Sequence, residues 1–162
     1  MFDRTIALIG QDNLDKIESK HILIIGVGGV GGYAIEALIR SGIHNITLVD
    51  YDNIDISNIN RQIIAKESNV GKLKVEAWKE RINEINSSVL VNTLPLKIDE
   101  NNIDILFKSS YDYIIDACDT VIVKKLLIKM CHERNIKLIT VCGMGKKLNP
   151  NLVKICDIKD TS

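Results

Sequence analysis

The sequence predicts an α/β fold: a doubly wound, mostly parallel sheet with helices on both faces. Three observations predict it. His21-Ile-Leu-Ile-Ile25 is a continuous apolar run, typical of a strand buried on both faces, and it passes straight into Gly26-Val-Gly-Gly-Val-Gly31. Strand-like runs then alternate with helix-like stretches along the chain. The distance from the first strand to the second suits a right-handed crossover onto a parallel neighbour. Such a Rossmann-like sheet takes its ligands beyond the carboxyl ends of its strands.

Each element has its own signal. Residues 3–9 pattern as a short helix with Ile6 and Ile9 on one face and Gly10 as its stop, and a second short helix covers Leu14 to Ser19, giving a helical N-terminal arm over residues 1–20. After the glycines, Tyr33–Ile39 is helical and Ser41-Gly42 ends it. Asn45-Ile-Thr-Leu-Val-Asp50 is the second strand. Residues 51–70 are polar with weak periodicity, and a loop of that length in a compact domain is usually functional. Val75, Trp78, Ile82 and Ile85 recur at helical spacing, so residues 72–86 form an amphipathic helix with Trp78 in the core. Val89–Leu94 is a strand closed by Pro95, 101–108 a short helix, Tyr111–Ala117 a strand, 120–134 a helix, and Lys137–Cys142 the last clear parallel strand. Leu152–Ile158 alternates like an antiparallel strand.

At 162 residues, with 46% apolar and 26% charged side chains, the chain suits one domain, residues 1–162, with a full core. No apolar run reaches bilayer-spanning length and the N-terminus lacks a signal-peptide pattern, so the expectation is a cytoplasmic protein with no membrane association. Cys118, Cys131, Cys142 and Cys156 include no C-x-x-C pair; they read as small apolar residues, and no zinc site is expected. Residues 1–120 carry 12 basic and 18 acidic side chains and residues 121–162 carry nine and three, so the C-terminal part is basic. That bias suits either a solvated lysine face or contact with a polyanion.

The glycine run fits G-x-G-x-x-G between a strand and a helix. Gly26 allows the turn, Gly28 and Gly29 let phosphate approach backbone at a helix N-terminus, and Gly31 lets the helix pack on the sheet. Asp50 ends the second strand, where a carboxylate can accept from ribose hydroxyls, and Asp52 just beyond it is a further candidate for cofactor binding. This loop alone does not separate NAD from ATP. Asn58-Ile-Asn-Arg-Gln62 and Gly71-Lys-Leu-Lys74 shift the reading to ATP, because Arg61 and Lys74 can stabilise charge that builds as a phosphoanhydride breaks. Asp116 and Asp119 close a later strand at the same edge, where a carboxylate can hold Mg²⁺ on the phosphates. Taken one at a time, Arg61 and Lys74 also suit solvated surface positions, and Asp119 also suits a helix N-cap. Cys118, beside Asp119, reads as packing, and the three histidines show no ligand spacing.

Gly26–Gly31, Asp50-x-Asp52, Asn58-x-Asn-Arg-Gln62, Gly71-Lys-Leu-Lys74-Val-Glu76 and Asp116-Ala-Cys-Asp119 together resemble the ThiF/MoeB/HesA family, bacterial relatives of ubiquitin-activating enzymes. The resemblance implies ATP on the glycine loop, ribose on the position of Asp50, phosphates on those of Arg61 and Lys74, and Mg²⁺ with ATP on that of Asp119. It also implies a homodimer in which an N-terminal arginine, here Arg4, reaches the neighbouring subunit's ATP. Phe2-x-Arg-Thr5, Asn60-Arg-Gln-Ile63 and Gly143-Met-Gly-Lys-Lys-Leu-Asn-Pro150 are most similar to the branch that dehydrates threonylcarbamoyladenosine in tRNA to its cyclic form. In that branch a His is expected where Ile64 stands.

The resemblance therefore implies an ATP-dependent, adenylation-type activation of a carboxylate, with Arg61, Lys74 and Asp119 as the catalytic residues and tRNA as substrate. For a tRNA, Lys124, Lys125, Lys146 and Lys147 are the phosphate-contacting residues to test. One alternative is adenylation of the C-terminal glycine of a ubiquitin-like sulfur carrier, with sulfur-relay partners. Another is an NAD(P)-binding oxidoreductase or a non-catalytic nucleotide-binding module. Enzymes of the branch continue well past residue 162, so the chain is expected to be part of a longer protein.

Overall fold

The computed structural model describes residues 1–143, 145 and 148–160. Its helices are α1 (Asp3–Ile9), α2 (Gln11–Glu18), α3 (Gly29–Arg40), α4 (Lys74–Ile85) and α5 (Val121–Glu133). Its strands are β1 (His21–Ile25), β2 (Asn45–Val49), β3 (Leu90–Leu94), β4 (Tyr113–Asp116) and β5 (Lys137–Thr140). All five strands pair in parallel in the order β3-β2-β1-β4-β5. The chain winds outward from β1 through β2 to β3, then returns to the other side of β1 for β4 and β5. The direction of winding thus reverses between β1 and β4, and a crevice opens there at the carboxyl ends of the strands.

Alternating side chains of β1 feed two cores. Ile22 and Ile24 face α3 and α4, meeting Ile35, Ile39, Val75, Trp78 and Ile82. Leu23 and Ile25 face the opposite layer, with Ile114, Leu106, Val123 and Leu127 of the β4 side and α5. Both faces of β1 are covered, which is why its sequence is apolar without a break. The N-terminal arm is anchored through Leu14 of α2; α1 buries no residue of its own.

Three expectations are corrected. The helix after the glycines begins at Gly29, inside the motif, because the glycines of its first turn take helical backbone. Residues 101–108 form a 3₁₀ stretch, Ile103–Lys108, that still buries Ile103 and Leu106. Leu152–Ile158 is not a strand: 3₁₀ turns at Pro150–Leu152 and Ile158–Asp160 flank an extended piece whose Ile155 is fully exposed. Alternation there has no neighbouring strand to register against, since β5 pairs only with β4 among the described residues.

Candidate functional site

The glycine loop occupies the β1/β4 crevice. Gly26 has φ +84°, and a Cβ there would lie 2.8 Å from the Ala117 carbonyl, so the turn after β1 rests directly on the backbone after β4. A Cβ on Gly31 would come 1.8 Å from the Gly26 carbonyl oxygen, so this position admits nothing larger. Val27 N–H donates to Asp50 Oδ2 at 3.0 Å, and Asp52 N–H donates to Asp50 Oδ1 at 2.9 Å. Asp50 therefore ties the loop after β1 to the loop after β2. From below, the fully buried Trp78 donates its indole N–H to the Val27 carbonyl at 3.1 Å. The start of α3 carries no side-chain cap, leaving its first-turn N–H groups open toward the crevice.

The long crossover lies over this loop. Asp55 caps a 3₁₀ turn, Ile56–Asn58, and the buried Asn58 accepts the Asp55 N–H in return, which fixes the segment's path. Arg61 follows, exposed, donating to the Ser57 carbonyl at 2.8 Å and to Asn60 Oδ1 at 2.9 Å. A Cβ on Gly29 would lie 3.6 Å from the Arg61 carbonyl and 3.9 Å from its Cγ, so Arg61 stands across from the start of α3. Gln62 is buried beside Gly28, and its Oε1 has no hydrogen-bond partner among the described residues. Sequence reasoning gave Gln62 no role; its place after an arginine in a polar crossover was the available signal.

Lys74 is the first residue of α4, and its side chain is only 7% exposed. A buried ammonium at the positive end of a helix is unfavourable, and the bond from its Nζ to Asp52 Oδ2 at 2.7 Å offsets this. Asp52 itself is 45% exposed, so the pair opens toward solvent on the carboxylate side. Next to it Tyr51 is half exposed, with Lys97 Nζ 5.5 Å above its ring.

Across the crevice, Asp119 is exposed and, among the described residues, accepts only the Thr120 hydroxyl, at 3.3 Å. It is not the helix cap: Thr120 holds that position, without a side-chain cap bond. Asp116 is a different kind of carboxylate. It is fully buried and accepts from Cys118 N–H, Lys124 Nζ and the Thr140 hydroxyl, so both of its oxygens are engaged inside the fold, away from the crevice surface. Lys124, expected as a tRNA contact, is spent on Asp116 and on the Val141 carbonyl, whereas Lys125 is exposed. Lys146 and Lys147 lie outside the described residues. Burial, followed by the Asp116 carboxylate, pushes the Cys118 thiol up to about 12, which suits a packing residue and not a nucleophile. Ile64, at the position where His was expected, is 2% exposed within the α3/α4 core.

The structure thus gathers Gly26, Gly28, Gly29, Gly31, Asp50, Asp52, Asn58, Arg61, Lys74 and Asp119 at one edge of the sheet. Arg4 is not among them. It is exposed and shares a cleft with Ile39, Arg40 and Ile85, at the far ends of α3 and α4. That is about 18 Å from the loop along the 12-residue α3. Among the described residues no cluster of three or more His, Cys, Asp or Glu could hold a metal, and no helix is long and apolar enough to cross a membrane.

The ThiF family model matches residues 2–153. The chain belongs to the ThiF family. Its ThiF relatives include the tRNA threonylcarbamoyladenosine dehydratases of Bacillus subtilis and Haemophilus influenzae. The first is 41% identical, covering 99% of this chain and 63% of that protein. The second is 41% identical, covering 95% and 59%. The crystal structure of Escherichia coli tRNA N6-threonylcarbamoyladenosine dehydratase in complex with ATP superposes with a TM-score of 0.95 at 38% identity, covering 99% of this chain and 66% of that one. The chain therefore spans roughly three-fifths of the length of these curated relatives.

Proposed function

We propose that this chain forms the ATP site of an enzyme that activates the carboxylate of threonylcarbamoyladenosine in tRNA so that the side chain cyclises with loss of water. The observation that carries the reading is the crevice itself. An uncapped helix N-terminus, an exposed guanidinium from Arg61 and a buried ammonium from Lys74 converge beside Asp119, an exposed carboxylate that, unlike Asp52, has no ion-pair partner among the described residues. The first three favour a polyphosphate. One carboxylate is what Mg²⁺ requires when phosphates and waters complete its shell, so the residues present fit MgATP, with Asp119 as the protein ligand. The names of the relatives point to the same substrate.

In this reading the glycine loop holds the phosphates by backbone N–H groups. Asp50, whose oxygens already accept from Val27 and Asp52, keeps lone pairs for the ribose hydroxyls. The substrate carboxylate attacks the α-phosphorus and pyrophosphate leaves. Arg61 and Lys74 stabilise the charge that accumulates on the phosphate oxygens. An intramolecular nucleophile of the modified nucleoside then displaces AMP as the ring closes. The protein acts as a homodimer, with Arg4 serving the partner's site, since it lies far from its own loop. The exposed Lys125 contacts tRNA phosphates.

The test is ATP consumption by the whole protein with three additions: tRNA carrying threonylcarbamoyladenosine, the same tRNA unmodified, and a carrier protein ending in Gly-Gly. Stimulation by the modified tRNA alone, with the cyclic nucleoside detected by mass spectrometry, is expected. Pyrophosphate exchange dependent on the Gly-Gly carrier would replace the tRNA reading, and binding of NAD without ATP would overturn the whole of it.

A further inference from the structure

Asp116, Lys124 and Thr140 make a closed polar unit inside an otherwise apolar layer. Asp116 Oδ2 accepts Lys124 Nζ at 3.0 Å and the Thr140 hydroxyl at 2.5 Å, while Oδ1 accepts the Cys118 N–H at 3.1 Å. Lys124 Nζ also donates to the Val141 carbonyl at 2.9 Å, and Val141 N–H donates to the Asp116 carbonyl at 2.9 Å. One carboxylate thus fixes three things at once: the turn after β4, the first turn of α5 and the exit from β5. Asp116 is fully buried and the Lys124 side chain is 13% exposed. A buried ion pair is weak stabilisation, because apolar side chains of similar volume do as well or better. What this pair does supply is a fixed backbone. The Cys118 N–H that it holds is one residue before Asp119, and the Ala117 carbonyl beside it is the surface on which Gly26 rests.

We propose that Asp116, Lys124 and Thr140 are positioning residues that set the turn presenting Asp119 to MgATP. Neither charged group reaches the crevice. The unit acts through Asp119, so the inference rests on the reading of Asp119 given above. Lys124 supplies the geometric restraint from the helix, and Thr140 supplies it from the sheet.

A double-mutant cycle in the whole protein tests this. MgATP affinity is measured by isothermal titration for the parent, Asp119→Asn, Lys124→Met and the double variant, with the melting temperature of each followed by circular dichroism. Lys124→Met is expected to weaken MgATP binding about tenfold in the parent but less than about twofold once Asp119 is already Asn. Lys124→Arg is expected to recover most of the affinity. Thr140→Val, which leaves the ion pair whole and guards against a folding failure in Lys124→Met, is expected to cost about threefold with the same coupling. If Asp119→Asn weakens binding but Lys124→Met or Thr140→Val adds its full effect in that background, the positioning role is overturned and the reading of Asp119 survives. If Asp119→Asn binds MgATP like the parent, the reading of Asp119 falls and this inference with it.

Discussion

Gly29→Ala separates the binding role of the glycine loop from its folding role. A Cβ at Gly29 would meet the Arg61 carbonyl at 3.6 Å and Arg61 Cγ at 3.9 Å, both ordinary van der Waals distances. Gly29 is also the first residue of α3, where Ala is the better helix former. Folding stability should therefore be unchanged, or rise by up to about 1 kcal/mol. The added methyl group stands in the gap between the start of α3 and Arg61, the space the phosphate reading requires. Losing one or two hydrogen bonds to a charged phosphate costs about 1.5–3 kcal/mol, or roughly 10- to 100-fold in the dissociation constant of MgATP. Isothermal titration measures that constant and a thermal melt measures the fold. Gly31→Ala is the contrasting case, because its Cβ would sit 1.8 Å from a backbone oxygen that has nowhere to go, so it should lower the melting temperature itself. A Gly29→Ala protein that binds MgATP within about twofold of the parent would show that phosphates do not lie against α3, and the argument from the open helix N-terminus would fail.

Three further outcomes follow from particular groups. Lys74→Met should lower ATP turnover by about 100-fold in a coupled pyrophosphate assay. Its cost in stability should stay below about 1 kcal/mol, because the Asp52 it leaves behind is half exposed. Iodoacetamide at about pH 8 should label the exposed Cys142 and Cys156 and spare Cys118, whose thiol stays protonated until the pH nears about 12; peptide mapping reads this directly. Glu36 links α3 to α4 through Arg81 at 2.8 Å. Burial pushes its carboxyl up, but the bonds from Arg81 and Arg40 outweigh that and hold it below the usual glutamate value. Its contribution is therefore fully present above the unfolded value near 4.5 and is lost as the pH falls through the lower folded value. Glu36→Gln should cost about 0.5–1 kcal/mol at neutral pH and almost nothing in strong acid, measured by urea melts across that range.

Much of the site was legible because the loop chemistry is local. A glycine run between an apolar strand and a helix, with carboxylates just past the next strand, needs no tertiary knowledge to be placed at the sheet's carboxyl edge. Arg61 and Lys74 could be brought to that edge only by assuming that the crossover folds back over the loop. The cap between Asp55 and Asn58 and the burial of Lys74 are what make it do so. By position alone Asp116 and Asp119 were equivalent in sequence, both closing one predicted strand, and only the family resemblance singled out Asp119. Depth separates them: the last residue of β4 points into the α5 layer, and three residues later the chain has reached solvent. The apparent strand at 152–158 misled for the opposite reason, because alternation specifies a strand only where an edge is available to pair with it.

Depth also makes Lys74 and Lys124 do different work. Each is paired with an aspartate, Lys74 with Asp52 beyond β2 at 2.7 Å and Lys124 with Asp116 at the end of β4 at 3.0 Å. Lys74 is covered but Asp52 is 45% exposed, so the cost of moving the ammonium from that carboxylate to an incoming phosphate is small: water takes up the aspartate it leaves. Lys124 is covered and Asp116 is fully buried, so the same move would strand a carboxylate in a low dielectric, at a cost of about 3–5 kcal/mol. Under the proposed function Lys74 would therefore exchange Asp52 for a phosphate, whereas Lys124 would stay on Asp116. A lysine count over the C-terminal third treats Lys124 as available for tRNA, whereas its partner's burial ties it to the turn that carries Asp119.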